Sequence, residues 1–427
     1  MSNTSKPFGK FLLLWSGELV SAVGGGLTSF GLGVYVYQQS GMASQVSMVM
    51  LLAFLPSLLL SAPAGVLADR YDRRLLMILG DSLSAIGPLL ILFFVWDGVA
   101  SFWQICVGVT ISSVFSSLLE PAYRATVTDL LTEEQYTKAS GLVQIAGSAK
   151  YLISPVMAGL LLAVSDIRLL LILDICTFFV TVAATLAVRK GLTAKPQIED
   201  ASFTVSFQDG WKAVAQNKGV LTLVLVGSVI TLCLGFIQTL ASPMILSFSD
   251  SGALGSIQSL AAMGMLASSV LLGIFSVKKG YVKILCGSLF GAGIFMALFG
   301  LRENVMMITL AGFLFFSMLP FANMSLDYLL RTNIDNEFQG RAWGLVGLIS
   351  QMGYVVAYSL SGLLADYFFT PLLLEGGRLS GNLGKLLGTG AGRGSGLLIL
   401  LAGVLLCIAS IFLYRFKSIQ RLEKEAG

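Results

Sequence analysis

Apolar residues in this chain run in long blocks divided by short polar punctuation. By eye the blocks fall at roughly 11–37, 46–68, 75–96, 102–119, 140–164 and 168–188, and then at 218–240, 254–276, 283–301, 305–326, 340–365 and 396–414. A helix needs about 20 apolar residues to cross a bilayer core of about 30 Å. The pattern therefore predicts twelve transmembrane helices, six on each side of a polar break from Arg189 to Lys218. The first block follows Lys6 and Lys10 as a signal peptide would, but it is too long for such a segment and has no obvious small-residue cleavage site, so it is expected to be a retained helix. The expected organisation is a six-helix bundle over 1–188, a cytoplasmic linker over 189–217 and a second six-helix bundle over 218–427. Within the linker Phe207, Trp211 and Val214 recur at helical spacing, which fits an amphipathic piece on the inner membrane surface as well as a plain tether.

Composition narrows the chemistry. Hydrophobic residues make up 56% of the 427 positions and charged residues 12%, about half the charged share of a soluble domain, which excludes a water-soluble globule. The net charge of +4 comes with no basic run interleaved with aromatics, so nucleic acid is not an expected partner. Cys106, Cys176, Cys233, Cys286 and Cys407 lie in apolar stretches without a CxxC pair, and neither a metal site nor a disulfide framework is expected. Histidine is absent, so proton handling falls to carboxylates. With the N-terminus inside, inner segments carry 21 Lys and Arg, while outer loops carry Arg168, Arg302, Arg378, Lys385 and Arg393; Lys150 is intramembrane. Both termini are thus expected in the cytoplasm and the chain in the cell membrane.

The halves resemble each other. Residues 141–161 lie over 344–364 without a gap and match at seven of 21 positions, among them Tyr151/Tyr354 and Gly159/Gly362. Related halves point to a transporter built from parallel repeats with a cavity near the midplane.

Between the second and third blocks stands Gly65-Val-Leu-Ala-Asp69-Arg70-Tyr-Asp72-Arg73-Arg74. It resembles, completely and in the right place, the Gly-x-x-x-Asp-Arg-x-x-Arg-Arg/Lys signature of the major facilitator superfamily. Gly65 would bring helices close, and Asp69 would face the positive N-terminus of a helix from the other half; the resemblance places that contact near Gly340 and Arg341. The plainer alternative is a charged loop that obeys the positive-inside rule. The matching place in the second half, Gly273 to Gly280, keeps Lys278 and Lys279 but has no acid, which makes the latch one-sided. Leu14-Trp15-Ser-Gly17, Pro121-Ala-Tyr-Arg124 with Asp129-Leu, Leu173-Asp174-Ile-Cys-Thr-Phe178, Gln339-Gly340-Arg341-Ala-Trp-Gly344 and the glycine-rich stretch from Glu375 to Gly394 are similar to the macrolide-efflux and siderophore-exporter branch. Ser154-Pro155-Val-Met-Ala158-Gly159 resembles part of the antiporter motif, with Ser154 and Ala158 where glycines are usual; an ordinary tight helix contact explains it equally well. The fold implied is an all-α polytopic membrane protein with two pseudo-symmetric six-helix bundles.

A charge near the bilayer centre costs roughly 2.5 to 3.5 kcal/mol and asks for a partner or a use. Glu18 lies within the first block, and Ser21, Ala22, Gly25, Thr28 and Ser29 continue a small, polar face that can border water. The expectation is that Glu18 carries a coupling proton with Lys150 as partner; a permanent structural ion pair is the alternative. Asp174, beside Thr177, and Asp81 are expected to be structural, with Asp174 a second coupling candidate and Asp81 joining the charges of Arg73 or Arg74. Arg124 is expected to position an inner loop or gate, and Pro155 and Gly159 to shape one. In the second half Gln238, Gln258, Asn323 and Gln351, with abundant Phe and Met, offer contacts to a bulky compound or simply fill the helices.

The expected function is proton-coupled export of amphipathic, drug-like, macrolide-type compounds by a monomer that works by alternating access and confers drug resistance. It would use no cofactor beyond the proton gradient; its partners are the small substrate, protons and the lipid bilayer. Competing readings are a siderophore exporter, a lysophospholipid flippase, and a sensor or scaffold that transports nothing. No enzymatic constellation of His, Cys or Ser with a base is present, and no Gly-x-x-x-x-Gly-Lys-Ser/Thr element offers an ATP site.

Overall fold

A computed structural model describes residues 5–189, 211, 214–275, 277, 279–334, 339–381 and 383–425. Twelve helices among them are long and apolar enough to cross a membrane: Phe8–Ser40, Ala43–Arg70, Arg73–Trp96, Phe102–Leu130, Lys138–Val164, Ile167–Val188, Lys218–Leu246, Ser251–Ile274, Tyr281–Phe299, Val305–Asn333, Ala342–Leu373 and Arg393–Arg415, here spans 1 to 12. Each grows from one of the apolar blocks, usually by a few residues of less apolar helix at its ends. Of the expected linker helix, Phe207 lies outside the described residues, while Trp211 is exposed and Val214 fully buried.

Proline marks the breaks in the first half. Span 3 is interrupted at Ala85, just before Pro88, span 4 at Ser117–Leu118, just before Pro121, and span 5 at Ile153, just before Pro155. A proline has no N–H to give and is best tolerated in the first turn of a helix, so each segment restarts there. Span 11 deviates differently, passing into a π-helical turn over Leu364–Phe369.

The chain forms two compact units, Met1–Ser40 with Met48–Glu199, and Gly41–Ser47 with Asp200–Gly427. The first residues of span 2 therefore group with the second unit, which the expected division at the linker did not foresee.

In the first unit, span 1 lies against span 6 through Gly17, Gly24 and Gly31, where an added Cβ would come within 3.1 Å of Ala184, 2.4 Å of Thr177 and 2.5 Å of Leu170 respectively. Gly26 does the same against Ser154 of span 5. A core of Phe11, Leu14, Met77, Tyr123, Leu130 and Val188 ties spans 1, 3, 4 and 6 together. In the second unit span 7 is joined to span 11 by hydroxyls: Ser228 donates to the Ile349 carbonyl at 2.7 Å, Thr231 to the Ser350 carbonyl, and Thr239 meets Ser361 at 2.8 Å. The glycine-rich outer stretch folds as a turn onto Leu373, Leu387 and Leu397. Gly390 there has φ of +144°, a backbone that side chains disfavour. Fully buried Arg393 fastens this turn by donating from Nη2 to the carbonyls of Gly300 and Leu301, both at 2.9 Å.

Candidate functional site

Three carboxylates of the first unit share one depth. Counted at 1.5 Å per residue, Glu18 lies roughly 15 Å from the Phe8 end of span 1, Asp81 roughly 12 Å from the Arg73 end of span 3 and Glu120 roughly 15 Å from the Leu130 end of span 4. Glu18 is half-buried and feels the charge of Glu120; its own charge acts on Asp81 and on the hydroxyl of Tyr123. Asp81 is 1% exposed, and its Oδ2 has no hydrogen-bond partner. Tyr123 likewise keeps a buried, unpartnered hydroxyl. Glu120 pairs with Arg124 one turn on, at 2.6 Å, and both side chains are exposed. Charges at this depth are costly in hydrocarbon, so an exposed pair here faces water.

A second acidic position lies further out. Asp174 of span 6 is 3% exposed and leans on Gly24, where a Cβ would stand 3.0 Å from its Oδ1. The groups that act on its carboxyl are Thr28 of span 1, Lys150 of span 5 and its neighbour Thr177. The expected Glu18–Lys150 pair is not formed: Lys150 is exposed, no ion pair joins the two, and the lysine acts on Asp174. The reason is register, because Lys150 lies beside the Gly24–Gly26 stretch, two turns outward of Glu18 on span 1. Arg73, expected to share a charged network with Asp81, pairs with Asp129 and Asp69.

At the inner loop, Arg73 is the organiser. It donates to Asp129 at 2.8 Å and to the carbonyls of Ala68 and Ala125, and lies 3.7 Å from Asp69. Asp72 caps the start of span 3 by accepting from the Arg74 N–H at 3.1 Å, and Arg74 is buried. Asp69 and Arg70 are exposed. The close approach expected at Gly65 is absent: a Cβ there would meet nothing within 4 Å. The side chain of Arg341, the expected target of Asp69, lies outside the described residues.

The remaining expected positions divide. Pro155 and Gly159 are buried, Ser21 is half-buried, and Gly25 borders open space. Gln238 accepts a short hydrogen bond from Tyr358 Oη, whereas Gln351 keeps a buried, unpartnered Oε1. Gln258 is half-buried and Asn323 exposed. No group of His, Cys, Asp or Glu able to hold a metal occurs among the described residues.

Two acids escaped the sequence reading. Glu120 sits one residue past the end drawn for the fourth apolar block, immediately before Pro121. Asp366 sits one residue past the eleventh. There it accepts from the N–H groups of Ala43 at 3.0 Å and Ser44 at 2.7 Å, at the start of span 2. A charged residue at the edge of an apolar block was the signal available for both.

Comparison with known proteins places this arrangement. The family model described as Major Facilitator Superfamily matches residues 14–358. Macrolide efflux protein A of Streptococcus pyogenes is 28% identical over 368 residues, covering 84% of this chain and 89% of that protein. Lysophospholipid transporter LplT of Yersinia pestis (strain Pestoides F) is 23% identical over 269 residues, covering 61% of this chain and 63% of that one. Among solved structures, nucleoside transporter NupG superposes with a TM-score of 0.75 at 15% identity, covering 95% of this chain and 99% of that one. A bacterial homologue of the lysosomal transporter Spinster, solved inward-facing and unoccupied, does so at 0.72 and 13% identity, covering 100% and 99%. With twelve spans of this arrangement and a family match over most of its length, the chain is a membrane transporter that belongs to the Major Facilitator Superfamily.

Proposed function

We propose that this protein exports bulky amphipathic compounds of the macrolide type from the cytoplasm by alternating access, each cycle driven by proton entry. The observation that carries the coupling is the set of acids in the first unit: Glu18 and Asp81 lie within electrostatic reach of one another, and neither forms an ion pair among the described residues. Two acids that act on one another and lack a cation make a candidate carrier, since a proton taken up near the membrane interior is one that a conformational change can release. Carriage of one charge across 100 mV contributes roughly 2.3 kcal/mol, or about fiftyfold in concentration. Lys150 and Asp174 form a second, outer station beside span 1. The macrolide assignment is supported by the efflux relatives, which align over most of both chains.

The test uses inside-out vesicles that contain the full chain. A labelled macrolide should accumulate when an inward-acid pH gradient is imposed, stop on addition of a protonophore, and fail to accumulate with Glu18→Gln while binding and protein abundance persist. Accumulation by Glu18→Gln at the normal rate would sink the coupling assignment; a lysophospholipid moved in place of the macrolide would redirect the substrate assignment to the second class of relatives.

A further inference from the structure

The start of span 2 is held by span 11 in two ways at once. The turn that precedes it is tight: span 1 ends at Ser40, Gly41 takes φ of +64°, and span 2 begins at Ala43. The first N–H groups of any helix have no partner within the helix and carry the positive end of its dipole. Here those of Ala43 and Ser44 are both taken by the Asp366 carboxylate, one on each oxygen. One turn earlier on span 11, Gly362 leaves no room to spare: a Cβ would stand 2.3 Å from Ser47 Oγ, 2.4 Å from Ser44 Cα and 2.5 Å from the Ala43 carbonyl oxygen. Asp366 itself lies in the π-helical turn Leu364–Phe369. Such a turn inserts an extra residue into the helical ladder, is rare, and is frequent at functional sites.

These contacts lie wholly within the second unit, because Gly41–Ser47 group with it while the rest of span 2, from Met48, groups with the first. One helix is thus divided between the two groupings, and its start is fastened by Asp366 and Gly362 of span 11. In the sequence repeat Gly362 corresponds to Gly159, and the same offset carried two residues past the repeat sets Asp366 opposite Ala163.

We propose that Asp366 is an outer latch: with Gly362 as its seat, it docks the start of span 2 in one conformation of the transport cycle and releases it in the other. It mirrors in chemistry the carboxylate-to-helix-start contact that the inner loop signature leads one to expect of Asp69, at the opposite end of the same helix. The inference rests on the alternating-access part of the proposed function and is independent of the substrate and of the driving ion.

The experiment measures the distance between spin labels at two exposed outer positions, Val164→Cys and Met306→Cys, in the full chain with its native cysteines replaced. Asp366→Asn should raise the ratio of long to short distances about tenfold, the size expected when a charged helix cap is neutralised. Gly362→Ala should shift the ratio the same way by displacing Ser44 and Ser47, and Asp366→Glu should recover part of the short population. Hydrogen exchange of the Met42–Ser47 amides should quicken in step with the long population. If Asp366→Asn lowers thermal stability or quickens exchange while the distances stay unchanged in both variants, Asp366 is a static cap and the latch is overturned. Shifted distances with no export of any compound would leave the latch standing and fault the proposed function instead.

Discussion

In the first unit span 1 rests on span 6 through one glycine every seven residues, Gly17, Gly24 and Gly31, whereas in the second unit the close contacts of Gly227, Gly235 and Gly353 between spans 7 and 11 are supplemented by the hydroxyls of Ser228, Thr231 and Thr239. Both solutions bring two backbones close in an environment where no hydrophobic force separates protein from lipid. They differ in what they leave over. The hydroxyl seam satisfies its own polar atoms and fixes one geometry. The glycine seam supplies no hydrogen bonds, and beside it stand buried carboxyl oxygens of Asp81 and Asp174 without partners. The same superfamily plan has thus been finished with a hydrogen-bonded seam in one half and with a seam of glycines flanked by unpartnered acids in the other.

The largest expected effect tests the stiffness of the second seam. A Cβ at Gly353 would stand 2.0 Å from the Ser228 carbonyl oxygen and 2.6 Å from the Leu232 nitrogen, both backbone atoms that cannot step aside. Gly353→Val should therefore cost about 3 kcal/mol, at the upper end of overpacking penalties, and lower the melting temperature in detergent sharply. At Gly24 the obstructing atoms are side-chain ends, Thr177 Oγ1, Thr177 Cγ2 and Asp174 Oδ1, so Gly24→Ala should cost about 1 kcal/mol while reducing export. A Gly24 variant less stable than the Gly353 variant would break the comparison. Next in size, Thr239→Val removes one partner of fully buried Ser361 and should cost about 1 to 2 kcal/mol by the same melting measurement.

These contrasts show what the sequence could and could not reveal. The twelve spans were legible because each apolar block has to be about a bilayer thick, and the loop motif because its charges sit at fixed spacing. Which charge meets which was not. Glu18 and Lys150 lie on adjacent helices, but neighbouring helices say nothing of axial register, and Lys150 lies two turns along span 1 from Glu18, level with Asp174. Glu120 and Asp366 were missed for a related reason: hydropathy trims an apolar block at its first charge, yet the helix continues, and the residue at the trimmed edge is the one that faces water or caps a neighbour. The expected contact at Gly65 depends on conformation, which composition does not encode.

A double-mutant cycle sharpens the register correction. Asp174→Asn and Lys150→Ala should couple by about 0.5 to 1 kcal/mol, because one charge is exposed and the other buried, whereas Glu18→Gln and Lys150→Ala should add within about 0.5 kcal/mol. Melting temperatures of the four single and double variants in detergent decide it, and a Glu18–Lys150 coupling larger than the Asp174–Lys150 coupling would restore the original pairing.

The smallest effect on stability is expected where the first unit is most exposed. Glu120 and Arg124 make a good ion pair, but both side chains are more than two-thirds exposed, at 72% and 76%, and such pairs contribute little because water competes for each partner. Glu120→Gln should leave the melting temperature essentially unchanged, within the roughly 0.5 kcal/mol typical of surface substitutions. Its charge nonetheless acts on Glu18, so the same substitution removes a like charge from the proposed proton site. If the glycine-sealed half is the one that handles the proton, Glu120→Gln should shift the pH at which export is half-maximal while stability holds still. A variant that loses stability without moving the pH profile would make the pair structural and erase the functional side of the difference between the two halves.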